Sequence, residues 1–162
     1  MRQRQNKTPR RLLLPALLLA LMLTACGEGG PAPYTTGVVD RLLEAGVFSG
    51  EMEPVDGDIL TILYGMDETT VTEAAGCLAI DTSVSADVVA VFVLADESAA
   101  AAAEEACRAR IRAQIDSYTT YCPDQVPRLE KAVVSRVGNT VLMAVGDLDR
   151  LPAAVDELSG SR

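Results

Sequence analysis

Hydrophobic positions follow three rhythms along this chain, and each rhythm predicts a different kind of element. The first is a continuous apolar run from Leu12 to Leu23, interrupted only by Pro15. The second is helical spacing, where apolar residues return every three or four positions. Val38, Val39, Leu42, Leu43 and Val47 follow it, with Gly46 as a stop. Ile59, Leu60, Ile62 and Leu63 predict a short helix capped by Asp58 and ending at Tyr64-Gly65. The longest helix opens at Ser98, with Ala99 to Tyr118 as its body and a run of high helix propensity at Ala99 to Ala103. Ala103, Cys107, Ile111, Ile115 and Tyr118 share one face of it; Glu104, Arg108 and Arg112, at i, i+4 spacing, share a solvated one. Pro123 and Pro127 mark a break, and Arg128 to Lys131 predicts one further turn. Leu148, Leu151, Val155 and Leu158 predict a last helix, capped by Asp147 or Asp149, with Pro152 in its first turn.

The third rhythm is that of strands. Cys77 to Thr82 is a short candidate and Val88 to Leu94 a stronger one, with Ser83 to Asp87 as the hairpin loop between them. Ala132 to Val137 and Thr140 to Val145 form a second hairpin through Gly138-Asn139, two residues that tolerate positive φ. Met66 to Gly76 reads as a partly helical connection with Asp67 as a cap, and Ser159 to Arg162 as a tail.

These elements predict an α+β domain over residues 37–158. The economical arrangement is a four-stranded antiparallel sheet from two hairpins, with the long central helix and the C-terminal helix packed on one face. One feature resists a one-sided sheet. Val88 to Leu94 and Thr140 to Val145 are apolar at consecutive positions, whereas a strand with one wet face alternates. Both are therefore expected to be central, with the second face covered by the segment from Val38 to Tyr64, by an envelope protein partner or by a second copy in a homodimer.

Charge separates the first 25 residues from the rest. Arg2, Arg4, Lys7, Arg10 and Arg11 precede the apolar run, and no Asp or Glu occurs before Glu28. The apolar run would span roughly 18 Å as a helix, too short for a hydrocarbon core of about 30 Å. A basic start, a short apolar run and a small-residue exit describe a secretory signal peptide. The exit, Leu23-Thr24-Ala25-Cys26, resembles the lipobox of bacterial lipoproteins. That resemblance implies a diacylglycerol on the Cys26 sulfur, cleavage between Ala25 and Cys26, and a further palmitate-like N-acyl chain as an option. The chain would then be anchored on the extracytoplasmic face of the cell membrane, because two acyl chains hold where one binds only reversibly. The alternative is an ordinary signal peptide with an incidental cysteine. Residues 26–36, rich in Gly and Pro, read as a lipidated flexible tether.

Loss of the segment through Ala25 changes the formal charge from −9 to −14, since that segment carries five cations and no acid. So acidic a domain is a poor partner for nucleic acid, whose phosphates need Lys and Arg.

Beyond the lipobox, the arrangement resembles a family of small lipoproteins of Gram-positive bacteria catalogued as domain of unknown function forty-three fifty-eight. The resemblance runs roughly from Val38 to Leu158. It rests on Leu63-Tyr64-Gly65-Met66-Asp67, on Val88 to Leu94 followed by an Asp and a long helix, on Tyr121-Cys122-Pro123-Asp124, and on Val137-Gly138-Asn139-Thr140-Val141. It implies the location and the fold and supplies no catalytic residue; the extra cysteines depart from the pattern.

Candidate chemistry is sparse. There is no His, which removes the usual neutral-pH base and the commonest metal ligand. Serine catalysis would have to use Lys131, the one Lys after Cys26, and no motif surrounds it. Cys77, Cys107 and Cys122 form no Cys-x-x-Cys pair and read first as small core residues. A disulfide between Cys107 and Cys122 is open in an oxidising compartment but needs a chain reversal near Tyr118 to Tyr121. Glu51, Glu53, Asp56 and Asp58 offer oxygens for calcium without the loop pattern such a site uses, so a solvated loop is the default. No metal and no cofactor is expected beyond the lipid on Cys26. The function expected is that of a membrane-anchored binding or interaction module of the cell envelope, whose small-molecule ligand the sequence does not name. The alternatives are an accessory thiol or hydrolytic enzyme and a structural envelope protein.

Overall fold

The computed structural model describes residues 31–160. The signal peptide and lipobox, including Leu23, Thr24, Ala25 and Cys26, lie outside the described residues. In chain order the elements are α1 (Val38–Glu44), β1 (Met52–Val55), α2 (Gly57–Leu63), β2 (Val71–Ala79), β3 (Val88–Leu94) and α3 (Glu97–Tyr121). A 3-10 turn (Pro123–Gln125), α4 (Val126–Glu130), β4 (Val133–Val137), β5 (Thr140–Val145) and α5 (Arg150–Gly160) follow. The strands form one antiparallel sheet in the order β1-β2-β3-β5-β4.

The sheet therefore has five strands where four were expected. The addition, β1, is a short edge strand holding Glu53 and Pro54, residues of low strand propensity, and it exists because β2 offers it an edge. β2 begins at Val71, six residues before the expected start, and ends at Ala79. Its first half, Val71-Thr72-Glu73-Ala74-Ala75-Gly76, has little apolar signal and is held by pairing with β3.

The expectation that β3 and β5 are central and covered on both sides holds. Val88, Ala90, Phe92 and Leu94 of β3, with Val141, Met143 and Val145 of β5, meet α2, α3 and α4 on the first face. Val89 and Val91, with Leu142 and Ala144, meet α1 and α5 on the second. The long helix and the C-terminal helix thus lie on opposite faces, which corrects the expected one-sided arrangement. The physical reason is that α5 finds its partner in α1: Arg150 donates through Nη1 to the Gly46 carbonyl at 2.8 Å and through Nη2 to the Ala45 carbonyl at 2.7 Å. A cation at the end of α1 also complements that helix's C-terminal dipole. Within the expected cover, Val38 to Tyr64, α1 does lie on the second face, but α2 packs on the first.

Several boundaries shift for local reasons. Asp56, not Asp58, caps α2, accepting from the Asp58 amide. Asp96, not Ser98, caps α3, accepting from the Ala99 amide at 2.8 Å. Asp147 accepts from the Asp149 and Arg150 amides, so it, and not Asp149, opens α5. α5 runs on to Gly160, so the expected tail overlaps its last turn. Of the expected tether, residues 26–30 lie outside the described residues; within the rest Tyr34 is buried on the second face, its amide donating to Thr140 Oγ1 and its hydroxyl to Ser135 Oγ.

The β4–β5 hairpin closes as expected, Val137 facing Thr140. Only Gly138 has positive φ (+56°), however, and no residue other than glycine does among the described residues. This is the pattern of a turn with glycine at its first central position. Asn139 has a different task. Its Nδ2 donates to the Leu94 carbonyl at 2.7 Å, while the Leu94 amide donates to the Asn139 carbonyl at 2.9 Å. Asn139→Val is expected to lower stability by about 1–3 kcal/mol, the penalty for a buried carbonyl left without its donor. Urea unfolding followed by circular dichroism checks it; an unchanged midpoint would show that the Leu94 carbonyl finds another donor.

Candidate functional site

The first face carries a cleft of about 820 Å³, within the range of small-ligand sites, about 300–1,000 Å³. One wall is the C-terminal end of α2, Ile62 to Gly65. The opposite wall is α3, with Arg110, Gln114, Tyr118 and Tyr121 among the small residues Ala106, Ala109 and Ala113. The β2–β3 loop closes one end through Thr82 and Ser85 to Val88.

Two glycines bring α2 close enough to the sheet to form this wall. A Cβ on Gly57 would lie 2.8 Å from the Ala74 carbonyl oxygen. A Cβ on Gly76 would meet the Val89 carbonyl oxygen and would lie 3.0 Å from Leu60 Cδ1. α2 then stops because Gly65 takes positive φ (+63°), which leaves Tyr64 turned into the core, edge-on to Phe92 at 5.2 Å between ring centres. Burial pushes the Tyr64 hydroxyl far above the usual phenol range, and the nearby Cys107 adds to this, while Arg110 opposes it. The Tyr64 hydroxyl donates to the Met143 sulfur at 3.3 Å.

Arg110 lies at the boundary between the buried and solvated faces of α3. Its guanidinium carbon stands 5.3 Å from the centre of the Tyr64 ring, and its Nη1 donates to the Leu63 carbonyl at 3.2 Å. That carbonyl belongs to the last turn of α2, so Arg110 also caps the helix that forms the facing wall. One turn further along α3 is Gln114. Its Oε1 is buried and has no hydrogen-bond partner, the only such side-chain atom among the described residues.

The β2–β3 loop is held from both ends. Tyr118 donates its hydroxyl to the Thr82 carbonyl at 2.8 Å, with the Ser85 carbonyl at 3.3 Å. Burial pushes that hydroxyl up to about 12, and its neighbour Tyr121 adds to the shift. At the other end Asp87 is fully buried at its side chain. Its Oδ2 accepts from the Ser49 amide and hydroxyl, both at 2.7 Å, and its Oδ1 from Arg128 Nη1 at 2.7 Å. Arg128 also donates to Ser49 Oγ. Three segments distant in sequence thus meet at one carboxylate.

The rim is apolar. Ile62 is 66% exposed and Tyr121 56%, and both line the cleft. Ile80 and Val84, also exposed, belong to the loop that closes it.

The family model described as Domain of unknown function (DUF4358) matches residues 45–146. The chain belongs to this family. No curated protein and no solved structure gave a match. The match is narrower than the resemblance from Val38 to Leu158. The DUF4358 region holds the whole sheet, the first-face helices and every residue of the cleft. Tyr34, α1 and α5, which cover the second face, lie outside it. Two segments that carry the resemblance, Leu63 to Asp67 and Tyr121 to Asp124, give the cleft Leu63, Tyr64, Gly65 and Tyr121.

The other sequence candidates do not converge. α3 continues unbroken to Tyr121, so the reversal a Cys107–Cys122 bridge requires is missing, and about 20 Å of helix separates the two positions. Cys77, Cys107 and Cys122 are free thiols. Among the described residues no three of His, Cys, Asp and Glu gather as a metal would need; Glu53 lies in β1 and Asp56 caps α2. No helix among the described residues is long and apolar enough to cross a membrane. Burial pushes the Cys107 thiol up to about 12, so at pH 8 only about one molecule in ten thousand carries the thiolate. Iodoacetamide applied to the native protein at that pH should modify the half-buried Cys122 and spare Cys107, as read by peptide mass mapping. Equal labelling of both would mean that the core under α3 opens.

The sequence reading missed Arg110, Gln114, Asp87 and Ser49. Arg110 had a weak signal, being a cation next to the apolar position Ile111. Asp87 had one too: an acid directly before an unbroken apolar strand. Gln114 had none.

Proposed function

We propose that this DUF4358 chain is a lipid-anchored binding module of the bacterial cell envelope, held by acylated Cys26 and presenting the cleft between α2 and α3 to its ligand. The location rests on the lipobox Leu23-Thr24-Ala25-Cys26 after a basic and apolar leader. The binding reading rests above all on Gln114, whose buried Oε1 lacks a partner beside a cleft of ligand size. Buried polar atoms are nearly always paired, with protein or with ordered water, so an unpaired one at a cleft wall is a place where a ligand's donor can stand in for water. The apolar rim of Ile62 and Tyr121 points the same way, toward a surface used in contact.

The thiol-enzyme alternative has less support. A catalytic thiol needs a low pKa and access, whereas burial raises both Cys77 and Cys107.

Two measurements test the proposal separately. Cells expressing the chain and fed an alkyne-tagged palmitate should label it, and the Cys26→Ala variant should not be labelled; labelling of that variant would remove the lipid anchor. A photo-crosslinking amino acid at position 62 should give a discrete adduct in intact cells, and the same probe on exposed Glu130, which does not line the cleft, should not. Indistinguishable patterns from the two sites would remove the cleft as the binding surface.

A further inference from the structure

We infer that the α2–α3 cleft binds the carboxyl-terminal end of a peptide, with Arg110 taking the carboxylate and Gln114 Oε1 accepting a backbone N–H. The inference rests on the cleft being a binding site and adds the class of ligand.

Charge argues for the carboxylate. Two ionised side chains of opposite sign line the cleft, Asp87 and Arg110. Asp87 is neutralised by Arg128 at 2.7 Å. Arg110 has no ion-pair partner among the described residues; its Nη1 donates to the neutral Leu63 carbonyl, and its guanidinium lies against the neutral Tyr64 side chain. A guanidinium has five N–H donors in a planar fork that matches a carboxylate. The surrounding acidity does not override this. Charges beyond about 8 Å are largely screened at physiological ionic strength, whereas a bound carboxylate would be in contact with Arg110.

Hydrogen bonding argues for a donor beside that carboxylate. Arg110 and Gln114 are one turn apart on α3, so their Cβ atoms are about 5–6 Å apart. A simple anion would satisfy Arg110 and leave Gln114 Oε1 bare. A peptide end carries both groups within a few ångströms of each other, since successive residues advance about 3.8 Å and each non-proline residue brings an N–H.

Shape and rim argue for side chains further out. Ala106, Ala109 and Ala113 leave room beside Arg110, and Ile62 and Tyr121 offer exposed apolar surface at the margin. A lipid surface would also meet an apolar rim. The formal charge of −14 after processing disfavours it, because anionic head groups repel such a domain.

The test uses the full chain, labelled with nitrogen-15, and two pools of N-acetylated tripeptides randomised at every position. One pool ends in a free carboxylate and the other in a carboxamide. The free-acid pool should shift the Arg110 Nε–H and Gln114 side-chain amide resonances, and the carboxamide pool should act at least about tenfold more weakly, the worth of a charge-assisted hydrogen bond. Arg110→Gln should weaken the free-acid pool by a similar factor. Because Arg110 also holds the Leu63 carbonyl, Gln114→Glu serves as a second, isosteric variant. Its carboxylate would take the charge of Arg110 and exclude the ligand while near-ultraviolet circular dichroism stays native. Equal shifts from both pools would overturn the carboxylate and leave the binding module standing. Equal shifts from isobutyrate would reduce the site to an anion contact and overturn the peptide. Vesicles of phosphatidylglycerol shifting these resonances where neither pool does would overturn it in favour of a membrane surface. Silence from every probe would overturn the ligand class, while the crosslink at position 62 judges the binding module independently.

Discussion

Asp87→Ala should remove about 3 kcal/mol of stability, read as a lower urea midpoint with an unchanged slope. The carboxylate is fully buried and accepts three hydrogen bonds, from the Ser49 amide, the Ser49 hydroxyl and Arg128. Breaking a buried ion pair from one side costs about 3–5 kcal/mol, because the partner is left buried and uncompensated. Here the lower end applies. Arg128 keeps 23% of its side chain exposed and can turn to water, so the charge is not stranded. The Ser49 amide has no such escape and carries much of the loss. The double variant Asp87→Ala/Arg128→Met should recover part of it, since no cation then remains to be solvated. Asp87→Asn is the milder control, keeping an acceptor for Ser49 while losing the charge. A loss below about 1 kcal/mol would mean that the three segments are held by their own local structure. The same variant should loosen the β2–β3 loop, and slower hydrogen exchange of the loop amides than of β1 would argue against that link.

The second large effect is expected at Gly76. Strand propensity favours Val over Gly at a position within a strand, yet Gly76→Val should lower stability by more than about 3 kcal/mol, at or above the upper end for overpacked cores. Gly76 faces Ala90 across β2 and β3, and α2 lies over it. A Cβ there would meet the Val89 carbonyl oxygen, and Ala90 Cα would be 3.1 Å away. Those atoms belong to the backbone of a central strand and cannot turn aside as a side chain would. Leu60 Cδ1, at 3.0 Å, has some freedom, so Leu60→Ala should relieve part of the strain in the double variant. The displacement of α2 should also widen the cleft, visible as altered Tyr64 resonances in the Gly76→Ala variant if the larger one fails to fold. Native stability in Gly76→Val would refute the close approach of α2 to the sheet.

Much of the site was hidden in the sequence because its parts are ordinary residues at ordinary spacings. Gln114 is unremarkable on a solvated helix; its significance comes from α2 arriving opposite. Arg110 sits among Arg108 and Arg112, and the pattern of charges alone does not distinguish it. Arg108 pairs with Glu104 at 2.8 Å, as i, i+4 spacing anticipates, and Glu104 also takes Arg136 from β4. Arg112 is exposed. Only Arg110 is turned toward Tyr64, because its position on the helix, three residues after the buried Cys107, places it at the seam.

What the sequence by itself determined is what depends on neighbours within a few residues. The consecutive apolar runs of β3 and β5 required a sheet covered on both faces, and the spacing from Ala103 to Tyr118 required one long helix with a buried stripe. Gly138 dictated a tight turn, and Gly46 and Gly65 dictated helix ends. The tertiary structure decided what depends on partners far away in the chain. It made strands of Met52–Val55 and of the first half of Val71–Ala79, neither of which carries enough apolar signal to form one alone. It set α5 against α1 and not beside α3, and it drew Tyr34 out of the expected tether into the second core. It also brought Ser49, Asp87 and Arg128 to one point and set Leu63 across from Arg110. Periodicity records which side of an element must be buried; it does not record against what, because that choice is made by the packing energy of the whole.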